Sequence, residues 1–123
     1  MSGSAAVLQY KRQAVLTAPP VKIVSLLYAH AIRSLSRAEK ALGERKFDAA
    51  ARNIGRAQEI VGELLGALDM EAGGAIARNL QRLYTFALEG MMDANIKRNS
   101  QRLTQIRAVL STLQEAWDDI ARG

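Results

Sequence analysis

The chain has 123 residues, 49% hydrophobic and 24% charged, a balance that suits one folded domain and is too apolar for a disordered polymer. It has no cysteine, which excludes disulfides and thiolate metal sites and makes a reducing compartment, the cytoplasm, the expected location. No run approaches the roughly 20 apolar residues of a membrane span, so no membrane insertion is expected. The formal charge of +5 is uneven: residues 1–60 carry ten Lys/Arg against four Asp/Glu, and residues 61–123 seven against eight. Arg33, Arg37 and Lys40 follow helical spacing and read as a solvated face. No aromatic residues interleave with the charges as stacking on bases requires, so no nucleic-acid partner is expected.

Only Pro19 and Pro20 could interrupt a helix, and both fit a first turn, with Thr17 as a cap. Val24, Leu27, Ala31, Leu35, Ala38 and Leu42 then make an apolar stripe, and Gly43 is a plausible left-handed stop, giving a helix over 19–43. After the polar turn Glu44-Arg45-Lys46, a second stripe runs through Phe47, Ala50, Ile54, Ala57, Val61, Leu64 and Leu68, a helix over 47–69. Gly73-Gly74 reads as a break, followed by Ile76, Leu80, Leu83, Ala87, Met91 and Ala94 on a helix over 75–97. Ser100 is the expected cap of a last helix over 100–121 carrying Leu103, Ile106, Leu110, Leu113, Trp117 and Ile120.

Four helices of similar length joined by short turns predict an all-α, antiparallel up-down four-helix bundle over 17–123. Residues 1–16 are left as an N-terminal arm, with Val7, Leu8, Tyr10, Val15 and Leu16 to bury. The second and third helices have apolar residues beyond their stripes. Ile60 and Leu65 on one, and Tyr84, Phe86, Leu88 and Met92 on the other, read either as a surface meant for a partner or as the wide buried stripes of central helices. Gly55, Gly62, Gly66 and Gly90 interrupt the same helices and would permit close backbone approach.

The stretch Ala67-Leu68-Asp69-Met70-Glu71-Ala72-Gly73-Gly74-Ala75-Ile76-Ala77-Arg78-Asn79-Leu80, then Leu83-Tyr84 and Ala94-Asn95-Ile96-Lys97, resembles FliS, the flagellin-specific export chaperone family. Tyr10 ahead of Val15-Leu16-Thr17-Ala18, Leu27-Tyr28 and Ala116-Trp117 extend the likeness over about residues 7–120. The chain departs from the family's pattern at Val7, Gln13, Pro19 and Ala29-His30. The resemblance implies a monomeric cytoplasmic chaperone that binds the disordered C-terminal segment of flagellin, prevents premature polymerisation and delivers it to the flagellar type III export apparatus. It also implies contact with an export gate component and with a co-chaperone or regulator. Val7 and Tyr10 would belong to a cap at the client site, and Ile60, Leu65, Tyr84, Leu88 and Met92 are the expected client contacts.

Two other readings compete. A histidine phosphotransfer domain is also a four-helix bundle, with His30 as phosphoacceptor, but Arg33 and Ser34 stand where such domains usually carry Lys and Gly. A self-assembling structural bundle is the third reading. No carboxylate pair, nucleophile–histidine constellation, phosphate-cradling loop or metal-ligand spacing is evident, so neither an enzymatic activity, a cofactor nor a metal is expected.

Overall fold

The computed structural model describes residues 20–122. Thr17 and the whole N-terminal arm, with Val7 and Tyr10, lie outside the described residues. The four helices are α1 (Pro20–Gly43), α2 (Phe47–Gly66), α3 (Met70–Lys97) and α4 (Ser100–Arg122). Turns of two or three residues make consecutive helices antiparallel. α1 packs on α2 and α4, and α3 closes the ring against the same two helices with thinner interfaces. The expected four-helix bundle is therefore the fold.

The core follows the stripes with informative shifts. Val24, Tyr28, Ala31, Leu35 and Ala38 of α1 meet Ile54, Ala57, Val61 and Leu64 of α2, and Leu103, Ile106 and Leu110 of α4 join the same cluster. Each fully buried Leu or Ile contributes about 1.5–3 kcal/mol. On α3 the buried face is Ala77, Leu80, Tyr84, Ala87, Met91 and Ala94. The expected stripe had put Ile76 inside, but Ile76 is 53% exposed, whereas Tyr84 is wholly buried.

The helix ends show how the turns are built. α1 does not stop on Gly43 in a left-handed conformation. Arg45 takes that role at φ 59°, while the amides of Arg45 and Lys46 donate to the carbonyls of Leu42 and Ala41. α3 ends the same way, with Arg98 at φ 54° and the Asn99 amide donating to Ala94. Glycine is the usual residue at both positions, and a side chain there costs about 1 kcal/mol.

The second helix ends at Gly66 rather than 69, and the third begins at Met70 rather than 75. The Asp69 carboxylate accepts from the amides of Glu71 and Ala72 at 3.1 and 2.9 Å, which starts α3 one turn early. Gly74, at φ 54° and ψ −130°, then kinks the helix instead of separating two helices. At α4 the cap is Asn99, whose side-chain oxygen accepts from the Arg102 amide at 3.2 Å, and not Ser100.

Between α1 and α4 lies most of the polar fastening. The Arg107 guanidinium donates to both Glu39 oxygens at 2.6 and 3.1 Å, and the Thr104 hydroxyl donates to Glu39 as well. Ser25 hydrogen-bonds the Asp118 carboxylate further along the same seam. The surface opens at the other seam of α4, where it meets α3.

Candidate functional site

The opening is an apolar cleft of about 160 Å³ between the first half of α3 and the last half of α4. Gly73, Ile76, Ala77 and Leu80 form one wall, and Leu113, Ala116, Trp117 and Ile120 the other. Its position follows from the local sequence. Gly74 turns the start of α3, and small residues at Gly73, Ala77 and Ala116 leave the space unfilled. Ile76 and Ile120, 53% and 43% exposed, stand at the rim, while Trp117 is buried at the base.

A polar chain underlies that base. Trp117 Nε1 donates to the Tyr28 hydroxyl at 3.3 Å, and the Tyr28 and Tyr84 hydroxyls are 2.6 Å apart. The two tyrosine rings are tilted by 44° with centroids 6.4 Å apart. Burial holds the Tyr28 phenol above its ordinary pKa, against smaller opposing effects of the bonds to Tyr84 and Trp117. The phenol thus stays neutral and acts as a hydrogen-bonding joint between α1, α3 and α4.

The residues expected to meet a partner are separated by the structure. Tyr84 is wholly buried and Ile60 is 7% exposed, so the reading of both as surplus surface is corrected. Tyr84 belongs inside because the Tyr28 oxygen gives its hydroxyl a partner, and Ile60 packs in the same core. Leu65 and Leu88 are half-buried against that core, and Met92 is 59% exposed. Met92 and Ile96, one turn apart on α3, extend the apolar surface away from the cleft, and Phe86 lies exposed beside Arg102 of α4.

On the α4 wall of the cleft, Leu113, Trp117 and Ile120 have the spacing of core residues, and Ala116 lies outside that stripe. Of the glycines, Gly90 does permit close approach, since a methyl group there would lie 2.7 Å from Ile106 Cδ1. At Gly55, Gly62 and Gly66 a methyl group would meet nothing within 4 Å among the described residues. His30 is half-buried on α1. No group of acidic or histidine side chains suited to a metal occurs among the described residues, and none of their helices is long and apolar enough to cross a membrane.

A helical bundle with an apolar cleft at one seam suits a protein that holds an apolar segment of another chain. Residues 3–123 match the family described as "Flagellar protein FliS". The chain belongs to the FliS family. It is 35% identical to the flagellar secretion chaperone FliS of Vibrio cholerae, over 84% of this chain and 76% of that protein. Against FliSB of Pseudomonas aeruginosa the identity is 32%, over 87% and 85% of the two chains. FliS of Salmonella typhimurium is also 32% identical, over 88% and 81%. Both of these are likewise flagellar secretion chaperones by name. In this FliS-family chain the α3–α4 cleft and the outer side of α3, with Met92 and Ile96, expose apolar side chains among the described residues.

Proposed function

We propose that the chain is a flagellar secretion chaperone that binds the C-terminal segment of flagellin in the cytoplasm, keeps it from polymerising and passes it to the flagellar type III export apparatus. The observation that carries this reading is the apolar α3–α4 cleft in a chain of the FliS family. An amphipathic client segment that assembles through its apolar face is restrained when that face is given a competing apolar surface. The cleft would take one apolar stretch of the client, with Ile76 and Ile120 as rim contacts. Leu65, Leu88 and Met92 would take a second stretch, while Ile60 and Tyr84 support the surface from within. The complex is one chaperone to one client, and no reaction is invoked.

Val7 and Tyr10 are proposed as a displaceable cap over the client surface. Deleting residues 1–12 should change flagellin affinity more than thermal stability; an unchanged affinity removes the arm from the mechanism. The main test is a calorimetric titration with a peptide from the C-terminus of the cognate flagellin. Tight binding by the wild-type chain is expected, with loss in Ile76→Asp/Ile120→Asp and in Leu88→Asp/Met92→Asp. No measurable binding by the folded wild-type chain would overturn the reading.

A further inference from the structure

The end of the bundle remote from the cleft has a separate construction. Both α1 and α3 close there in left-handed turns, and in each the strained position carries arginine. The two side chains converge on one ring: the guanidinium carbon of Arg98 lies 3.7 Å, and that of Arg45 5.4 Å, from the centroid of half-buried Phe47. Left-handed backbone at residues other than glycine occurs at helix ends and clusters at functional sites. Stacking on the ring orders a guanidinium and leaves its N–H edges for an acceptor.

The charge of the described chain collects at this end. Residues 40–52 and 93–102 hold seven Lys/Arg against three Asp/Glu, while the rest of residues 20–122 hold eight against nine. At the cleft end, residues 59–71 and 115–119 hold seven Asp/Glu and no Lys or Arg. The bundle is thus polarised along its axis, over a distance of about 30 Å between Ile76 and Lys97. Lys46 and Lys97 are matched with Glu44 and Asp93, but Lys40, Arg45, Arg52 and Arg98 are exposed without an ion pair among the described residues.

We propose that the Arg45–Phe47–Arg98 clamp, with Arg52 beside it, is a docking site for an acidic polypeptide segment, separate from the client cleft. Guanidinium forks pair with carboxylates through two parallel hydrogen bonds. The ring that could stack on a nucleobase is already covered by Arg98. Asp48 and Asp93 interrupt the positive field, which disfavours a continuous phosphate backbone and accommodates spaced carboxylates. The opposite polarity of the cleft end would orient such a partner before contact.

The probe is a fluorescent oligoglutamate titrated against the full chain by anisotropy at about 50 mM and about 150 mM salt. Arg45→Asn/Arg98→Asn retains residues that accept the left-handed turn, and should weaken binding about tenfold without altering the melting curve. Arg45→Lys/Arg98→Lys should weaken it about threefold, because charge is kept and the fork is lost. Arg78→Asn/Arg82→Asn removes equal charge elsewhere on α3 and should leave affinity within about twofold. Equal losses in the two asparagine pairs, full binding by the lysine pair, or no binding at the lower salt would overturn the proposal. So would tighter binding to phosphatidylglycerol vesicles or to a single-stranded oligonucleotide than to oligoglutamate.

Discussion

Tyr28 on α1 and Tyr84 on α3 bring their hydroxyls within 2.6 Å across the diagonal of the bundle, joining two helices that otherwise meet little. Tyr28 is the shared member, because its oxygen also accepts from Trp117 of α4. Tyr28→Phe removes both bonds and should cost about 2 kcal/mol. Urea unfolding measures the loss, and a cost below about 0.5 kcal/mol would show that the Tyr28 hydroxyl does not fasten the three helices.

The same residue predicts an alkaline limit. Folding raises the Tyr28 pKa above its ordinary value of 10.0, chiefly by burial. Below that value the phenol is neutral in both folded and unfolded chains, and its contribution is fully present. Above it the unfolded chain loses the proton first, so stability falls as pH rises towards the folded-state pKa. Unfolding free energies measured from about pH 9 to about pH 11 should decline more steeply for wild type than for Tyr28→Phe. Parallel profiles would remove Tyr28 from the alkaline transition.

Glycine substitutions should separate by sign. An alanine methyl at Gly90 would meet Ile106 at 2.7 Å and Arg102 Nε at 3.2 Å, at the seam of α3 and α4. The overpacking exceeds the gain in helix propensity, and Gly90→Ala should lose about 1–2 kcal/mol. Gly55→Ala and Gly62→Ala meet nothing within 4 Å and should each gain up to about 1 kcal/mol. At Gly74 space is equally open, but φ 54° with ψ −130° is closed to a side chain, so Gly74→Ala should lose about 1–3 kcal/mol. Thermal melts of all four test whether contact and conformation, rather than composition, decide each sign.

The Glu39–Arg107 fork ties α1 to α4 from a partly covered position, with side chains 17% and 35% exposed. The bond to Glu39 is the main reason the Arg107 pKa is raised. Because the pair is near solvent, its double-mutant coupling should be about 1 kcal/mol, towards the lower range for charged hydrogen bonds. Arg107→Lys should lose most of that coupling, since a lysine cannot span both oxygens. A coupling below about 0.3 kcal/mol would place the pair among surface contacts of no consequence.

Periodicity made the four helices legible because each needs a buried stripe, and Ala50, Ile54, Ala57, Val61 and Leu64 fall where α2 requires them. It could not set the phase of a wide stripe. Tyr84 looked surplus because the polar partner that admits it to the core, Tyr28, lies 56 residues away in sequence. The cleft was hidden for a related reason: Ile76 and Ile120 have the spacing of core residues, yet the kink at Gly74 and the thinner packing of α3 leave them exposed. The two arginine caps were equally hidden, since glycine is the residue expected in a left-handed turn and Gly43 stood nearby.

The rim of the cleft offers the sharpest separation of stability from client binding. Ile76 and Ile120 are already 53% and 43% exposed, so aspartate forfeits about half of a full isoleucine burial at each and should cost about 1 kcal/mol per site in folding. A client side chain seated between them would instead meet a carboxylate in a desolvated contact, and flagellin affinity should fall at least about tenfold. Met92→Asp, on the outer side of α3 and 59% exposed, should be similarly mild for folding. If Met92→Asp abolishes binding while Ile76→Asp/Ile120→Asp leaves it intact, the client lies along outer α3 and not in the cleft. The reverse result confines it to the α3–α4 seam, and comparable losses from both place one continuous segment over the two surfaces.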